Sequence, residues 1–312
     1  MFFSLRLLSE KSVVRLARVF FPVLAFAGFL APALLMAQAA IPPPPTPAEQ
    51  ALPGVGDLLV APTRVVFEGR TRSAELTLLN IGRQAATYRI SFTHFRMLES
   101  GDLKEIEKPE PGSEFADELV RYSPRQVTLE PNVSQTIRLQ VRKPEKLADG
   151  EYRSHLLFRA VPPEGAIPAN VIESEEKKAT GYTIRLTPIY GVSIPVIVRQ
   201  GQSSVKASLT DLSVRPPEKA GDPSILELKI RREGSQSVYG NLQAIFLPST
   251  GKEQVVGVVN GLAVYTSIPN RIVRVPLQPP PGIVLAHGRL RVRYTKAEQK
   301  GDLLAEAETT LP

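Results

Sequence analysis

An all-β chain of two sandwiches behind an export leader is predicted by three observations. Alternation of apolar and polar residues with period two dominates from Asp57 onward. Turn residues punctuate it, and the alternating segments fall into two sets of about seven on either side of Gly201. Ahead of them, the N-terminus runs from basic to apolar to small residues.

The leader comes first. Arg6, Lys11, Arg15 and Arg18 precede an uncharged, mostly apolar run from Val19 to Met36, and Ala37-Gln38-Ala39 offers a signal peptidase small residues. Pro22 and Pro32 inside the run favour a cleaved signal peptide over 1–40 rather than a retained anchor. Residues 41–56 include Pro42 to Pro45 and Pro47, a stiff extended tether with no fold of its own. Cleavage before Ile41 leaves 34 basic and 30 acidic residues, a net charge of +4 in place of +7. That balance is too mild and too scattered for nucleic acid, so none is expected as a partner. The chain has no Cys, which excludes disulfides and thiol chemistry.

The first set of strands occupies 57–200. It is read at 57–60 with 64–67 around Pro62, at 73–80, at 86–95, at 120–122 with 126–129 around Pro124, at 135–142, at 151–161 and at 181–198. Seven short strands at this spacing predict an immunoglobulin-like β-sandwich. A second sandwich is expected over 201–312, from strands at 204–212, 225–230, 243–247, 254–258, 271–277, 288–294 and 303–309. A short hinge near 199–202 joins the two and leaves a cleft for a ligand. Three segments depart from the alternation. These are 101–118, polar and acidic, read as a hairpin tip and long loop; 162–180, another long polar loop; and the prolines at 279–281.

Catalytic patterns are missing from the sequence, and no enzyme is expected. His94, His155 and His287 are isolated, with no second His or carboxylate at ligand spacing, so no metal and no cofactor is expected. There is no phosphate loop and no nucleophile elbow.

One strand stands out. On one parity 181–198 reads Ile184, Leu186, Pro188, Tyr190, Val192, Ile194, Val196 and Val198, a run about three times the usual strand length. It is either a bent, wholly buried strand leading into the hinge, or an edge that adds itself to another chain's incomplete sheet.

Five segments bear on that choice. DLLVAPTRVVF from Asp57, 73–80, YSPRQVTLEPNVSQTIRL from Tyr122, DGEYRSHLLFRAVP from Asp149 and YGVSIPVIVRQ from Tyr190 stand in one order. Together they resemble the N-terminal domain of PapD-like periplasmic pilus-assembly chaperones, over roughly 57–200. The resemblance implies a periplasmic protein that caps pilus or fimbrial subunits by donating an edge strand and delivers them to an outer-membrane usher. It implies Ile184, Leu186 and Pro188 as the donated positions. It implies Arg64 as the anchor of the client's C-terminal carboxylate, a task that suits the guanidinium fork. Ser193 falls where the family carries a second, lysine, anchor. Pro188 is awkward there, since it lacks the N–H that a ladder needs. The exposed edge also leaves self-association open, and the alternative reading is a structural or adhesive cell-envelope protein built from immunoglobulin-like modules.

Overall fold

Prolines decide where the chain changes sheets in the first sandwich. The computed structural model describes residues 57–162, 189–202, 204–219, 221–297 and 301–311. In it, β1 (Leu58–Ala61) stops at Pro62 and β2 (Val65–Phe67) resumes in the other sheet. Pro124 divides β7 (Val120–Ser123) from β8 (Gln126–Leu129) in the same way. A proline has no N–H to give a ladder, and at both of these the strand ends and the chain changes sheets.

The remaining strands of this sandwich are β3 (Ser73–Asn80), β4 (Ala86–Thr93), β9 (Ser134–Val141), β10 (Gly150–Val161) and β11 (Gly191–Gln200). One sheet runs β1-β3-β9-β7 and the other β2-β11-β10-β4-β8. Alternate residues close the core between them. Phe67, Leu76, Leu78, Ile137, Leu156, Phe158, Val196 and Val198 are fully buried there. Asn80 holds the corner where β3 turns. Its Nδ2 donates to the carbonyls of Gln84 at 2.8 Å and Leu129 at 2.9 Å, and its Oδ1 accepts from the Gly82 N–H.

The second sandwich contains β12 (Val205–Arg215), β13 (Ser224–Gly234), β14 (Val238–Pro248), β15 (Gln254–Val264), β16 (Asn270–Leu277), β17 (Gly288–Lys296) and β18 (Leu303–Thr310). Its sheets run β12-β13-β16 and β15-β14-β17-β18 around Leu226, Leu228, Ile230, Leu242, Phe246, Val275 and Tyr294. The buried Tyr294 hydroxyl donates to the Leu262 carbonyl at 2.8 Å. β14 and β15 are about twice as long as the alternation suggests. The register between them shifts twice, after Gly240 and after Ala244, and each shift breaks the period that marks a strand in sequence. The all-β class of two immunoglobulin-like sandwiches is thus observed, with one turn of 3-10 helix at Asp117–Leu119 among the described residues.

The acidic segment expected as a hairpin tip and long loop does contain a hairpin, and it packs on the second sandwich. β5 (Phe95–Met97) and β6 (Leu103–Glu105) form a hairpin, and this region lies against the second sandwich. Met97 is buried in the second core, and the Glu99 carbonyl accepts from the Ile272 N–H at 2.7 Å. The Thr266 hydroxyl donates to the Gly112 carbonyl at 2.6 Å. Gly112 sits at φ +75, where a Cβ would stand 2.5 Å from the Thr266 carbonyl oxygen, so neither the backbone nor the space admits a side chain. The segment's side chains are largely exposed, while backbone groups at Glu99 and Gly112 bond to the neighbouring sandwich.

Candidate functional site

The margin of β11 comes first, because edge capture needs backbone that is not already paired. On one side β11 pairs with β10 along its whole length, from Gly191 opposite Arg159 to Gln200 opposite Gly150. On the other side it pairs with β2, in parallel, at Val196, Ile197 and Val198 only. Among the described residues no strand pairs with 191–195 on that side. Ile194, Val196 and Val198 face their own core and Val192 packs against it, so this half of the long apolar run is internal packing. Tyr190, on the same parity, is exposed. Ile184, Leu186 and Pro188 lie outside the described residues, as do the leader and the tether.

Arg64 directly precedes β2, and Val65 and Phe67 point into the core, so Arg64 and Val66 point away from it. Ser193, also directed away from the core, is exposed. The parallel register ends at Val65 with Val196. One step back along both chains, Pro195 stands level with Arg64, and Ser193 lies one alternate position further along the same face. Ser193 is therefore not the neighbour of Arg64 across the ladder. Arg64 instead reaches the second sandwich. Its Nη2 donates to the Ser237 hydroxyl at 3.4 Å, and its guanidinium carbon lies 4.5 Å from the centre of the Tyr239 ring. An open cleft of about 600 Å³ runs past it, lined by Arg64, Val66, Glu68, Arg199, Tyr239 and Lys296 among others.

The floor of this region is a charged network that the sequence did not announce. The Glu151 side chain has no exposed surface. Its Oε2 accepts from the Ser237 N–H at 3.0 Å, the Ser237 hydroxyl at 2.8 Å and Arg199 Nε at 3.2 Å. Arg199 also donates to Glu68 at 2.8 Å and to the Ser237 carbonyl at 3.3 Å. Ser237 thus receives Arg64 and gives its own proton to Glu151. Next to it on β10, the buried Arg153 stacks 3.8 Å above the Tyr265 ring and donates to the Phe95 carbonyl. Burial pulls the Arg153 pKa down, while Tyr265 and Glu151 oppose that pull. Glu151, Arg153 and His155 occupy the polar parity of β10, which in an isolated sandwich would be the wet face.

Histidines isolated in sequence come together with other polar groups in space. His94 Nδ1 lies 3.1 Å from the Ser154 hydroxyl, His94 Nε2 lies 3.8 Å from Asp117, and Phe115 stacks on the imidazole at 3.7 Å. The order Ser, His, Asp is that of a hydrolase, but Ser154 has no exposed surface and its oxygen accepts the Ala116 N–H at 2.9 Å. A substrate carbonyl does not reach it in this conformation. No group of side chains suited to a metal ion is found among the described residues.

His155 gives a pH prediction. Burial, then the charges of Arg153, His94 and Arg64, hold its pKa down at about 3. The pKa of the unfolded chain is about 6.5, so between these values the unfolded state binds a proton that the folded state refuses. Stability is expected to be full above about pH 6.5 and to fall below it by up to about 1.4 kcal/mol per pH unit. His94, also lowered by burial, acts in the same sense. Urea midpoints at pH 7.5 and 5.0 measure the slope, and His155→Phe should flatten it. An unchanged slope in that variant would assign the effect elsewhere.

No protein-family model matches the sequence, and no match is found among curated proteins. Among solved structures the chain is similar to the YadV chaperone, at 13% identity and a TM-score of 0.41, covering 82% of this chain and 100% of that one. It is similar to the CupB2 chaperone of Pseudomonas aeruginosa, at 12% identity and TM-score 0.39, covering 81% and 100%. A chain from the complex of the Salmonella enterica SafA pilin with the SafB chaperone matches at 17% identity and TM-score 0.38, covering 83% and 100%. These are likenesses of chain path and carry no chemistry with them.

Proposed function

We propose that the chain is a periplasmic chaperone that captures fimbrial subunits on the margin of β11 and passes them to an outer-membrane usher. The observation that carries this reading is the backbone of 191–195, which no described strand pairs on its β2 side and which ends at Arg64. Geometry also selects a direction. β2 runs parallel to β11, so a client strand continuing its line toward β2 in the same direction brings its C-terminus to Arg64. A strand of the opposite direction brings its ammonium group to a guanidinium, which repels it. A parallel client with a free carboxylate therefore fits best. The donated side chains are Ile184 and Leu186, with Pro188 at the next alternate position, and Ser193 is a lesser polar contact beside the anchor. The leader over 1–40 supports export, and the sequence resemblance over 57–200 supports the same reading.

The test is co-expression in the periplasm with a fimbrial subunit encoded beside the gene. A one-to-one complex is expected from the native sequence. Ile184→Asp with Leu186→Asp should abolish it while leaving the circular dichroism spectrum unchanged. A complex that survives both changes rules out strand donation from this segment.

A further inference from the structure

Arg64 belongs to the first sandwich by sequence, yet its guanidinium contacts Ser237 and Tyr239 of the second. We infer that Tyr239 is the platform that presents Arg64 to a carboxylate, so the second sandwich sets the selectivity of the anchor. This rests on the reading above that Arg64 receives the client's terminus.

A long arginine side chain has rotamer entropy to lose when it binds. A ring beneath the guanidinium removes part of that freedom beforehand. It engages the flat face of the cation and leaves the N–H groups in the plane, where a carboxylate meets two of them at once. The 4.5 Å separation from the Tyr239 ring is that of a cation over an aromatic face. Tyr239 is itself fixed. It lies in β14 opposite Ala263, and its carbonyl accepts from the Ala297 N–H at 3.4 Å. Gly261 makes room for it, at φ +69 and with an added Cβ only 3.2 Å from the Tyr239 hydroxyl. Ser237 completes the arrangement, because it takes one Arg64 N–H and hands its own to Glu151, tying the guanidinium to the charged floor.

The experiment uses the full chain and an acetylated peptide of alternating Ile and Thr, made once with a free C-terminal carboxylate and once as the amide. The quantity read is the ratio of the two affinities, because damage to the fold weakens both peptides while loss of the platform weakens only one. The native sequence should prefer the carboxylate by about tenfold or more. Tyr239→Phe, which keeps the ring, should retain that ratio. Tyr239→Met, which fills similar space without a π face, should bring it below about threefold at unchanged amide affinity. Arg64→Met should abolish it. If Arg64→Met abolishes the preference and Tyr239→Met keeps it in full, the platform is wrong and the anchor stands. If the native sequence binds both peptides equally, or binds neither, the anchor is wrong and the platform falls with it. Should Tyr239→Met fail to fold, Tyr239→Leu gives the same ratio to read.

Discussion

Glu151→Ala is expected to destabilise the protein by about 3 to 5 kcal/mol, the cost of removing one member of a buried ion pair. One carboxylate oxygen serves Ser237 twice and Arg199 once, and the side chain has no contact with solvent. Its loss leaves the Ser237 N–H and hydroxyl without that acceptor and takes the inner carboxylate from Arg199, which keeps Glu68 and the Ser237 carbonyl. It also removes the negative charge that supports the buried Arg153 and Arg232. A cation stripped of its partner inside the protein costs more than the pair itself contributes, which is why the effect exceeds that of a surface bridge. Glu151→Gln should fall between, since the amide oxygen still accepts from Ser237 but carries no charge. Urea unfolding measures both. A loss under about 1 kcal/mol in the alanine variant would mean that water replaces the carboxylate and that the junction is not dry.

Met97→Ala is expected to cost about 2 to 5 kcal/mol, although the residue lies in the sequence of the first sandwich. Its side chain is buried in the core cluster of the second, which also holds Tyr265 and Ile268. Truncation leaves a cavity there, and the backbone bond from Ile272 to the Glu99 carbonyl holds the hairpin in place, so the walls close only partly. The same variant distinguishes two pictures of the molecule. If the hairpin fastens the sandwiches into one cooperative unit, a single transition moves to lower urea with its slope retained. If they unfold separately, only the transition belonging to the second sandwich moves. An unshifted midpoint would show that Met97 contributes no burial energy.

The sandwich class was legible because burial on one face of a strand writes itself as alternation, and Tyr88 with Ile90 or Ile137 with Leu139 shows it without ambiguity. The breaks at Pro62 and Pro124 were legible for an equally local reason, the missing N–H. Arg64 was singled out by resemblance, and the structure places it in a cleft. Its companions Ser237, Tyr239, Glu151 and Arg199 were not found together. With Arg64 they come from four strands or strand ends, Arg64 and Ser237 being 173 positions apart, and no local pattern encodes such a meeting. Ser193 falls where the resemblance puts a second anchor, and the ladder register sets it two residues before Pro195, which stands level with Arg64. Register is a property of two strands, and one strand's alternation does not contain it.

Taken alone, the sequence determined which residues of most strands turn toward their own core, and that Pro62 and Pro124 interrupt strands. The tertiary structure decided what covers the opposite face. On β10, Glu151, Arg153 and His155 alternate as a wet surface does, yet the second sandwich and the 95–118 segment bury them. The physical reason is that a two-residue period reports which side a side chain takes, while its solvent, dielectric and partners depend on what packs there.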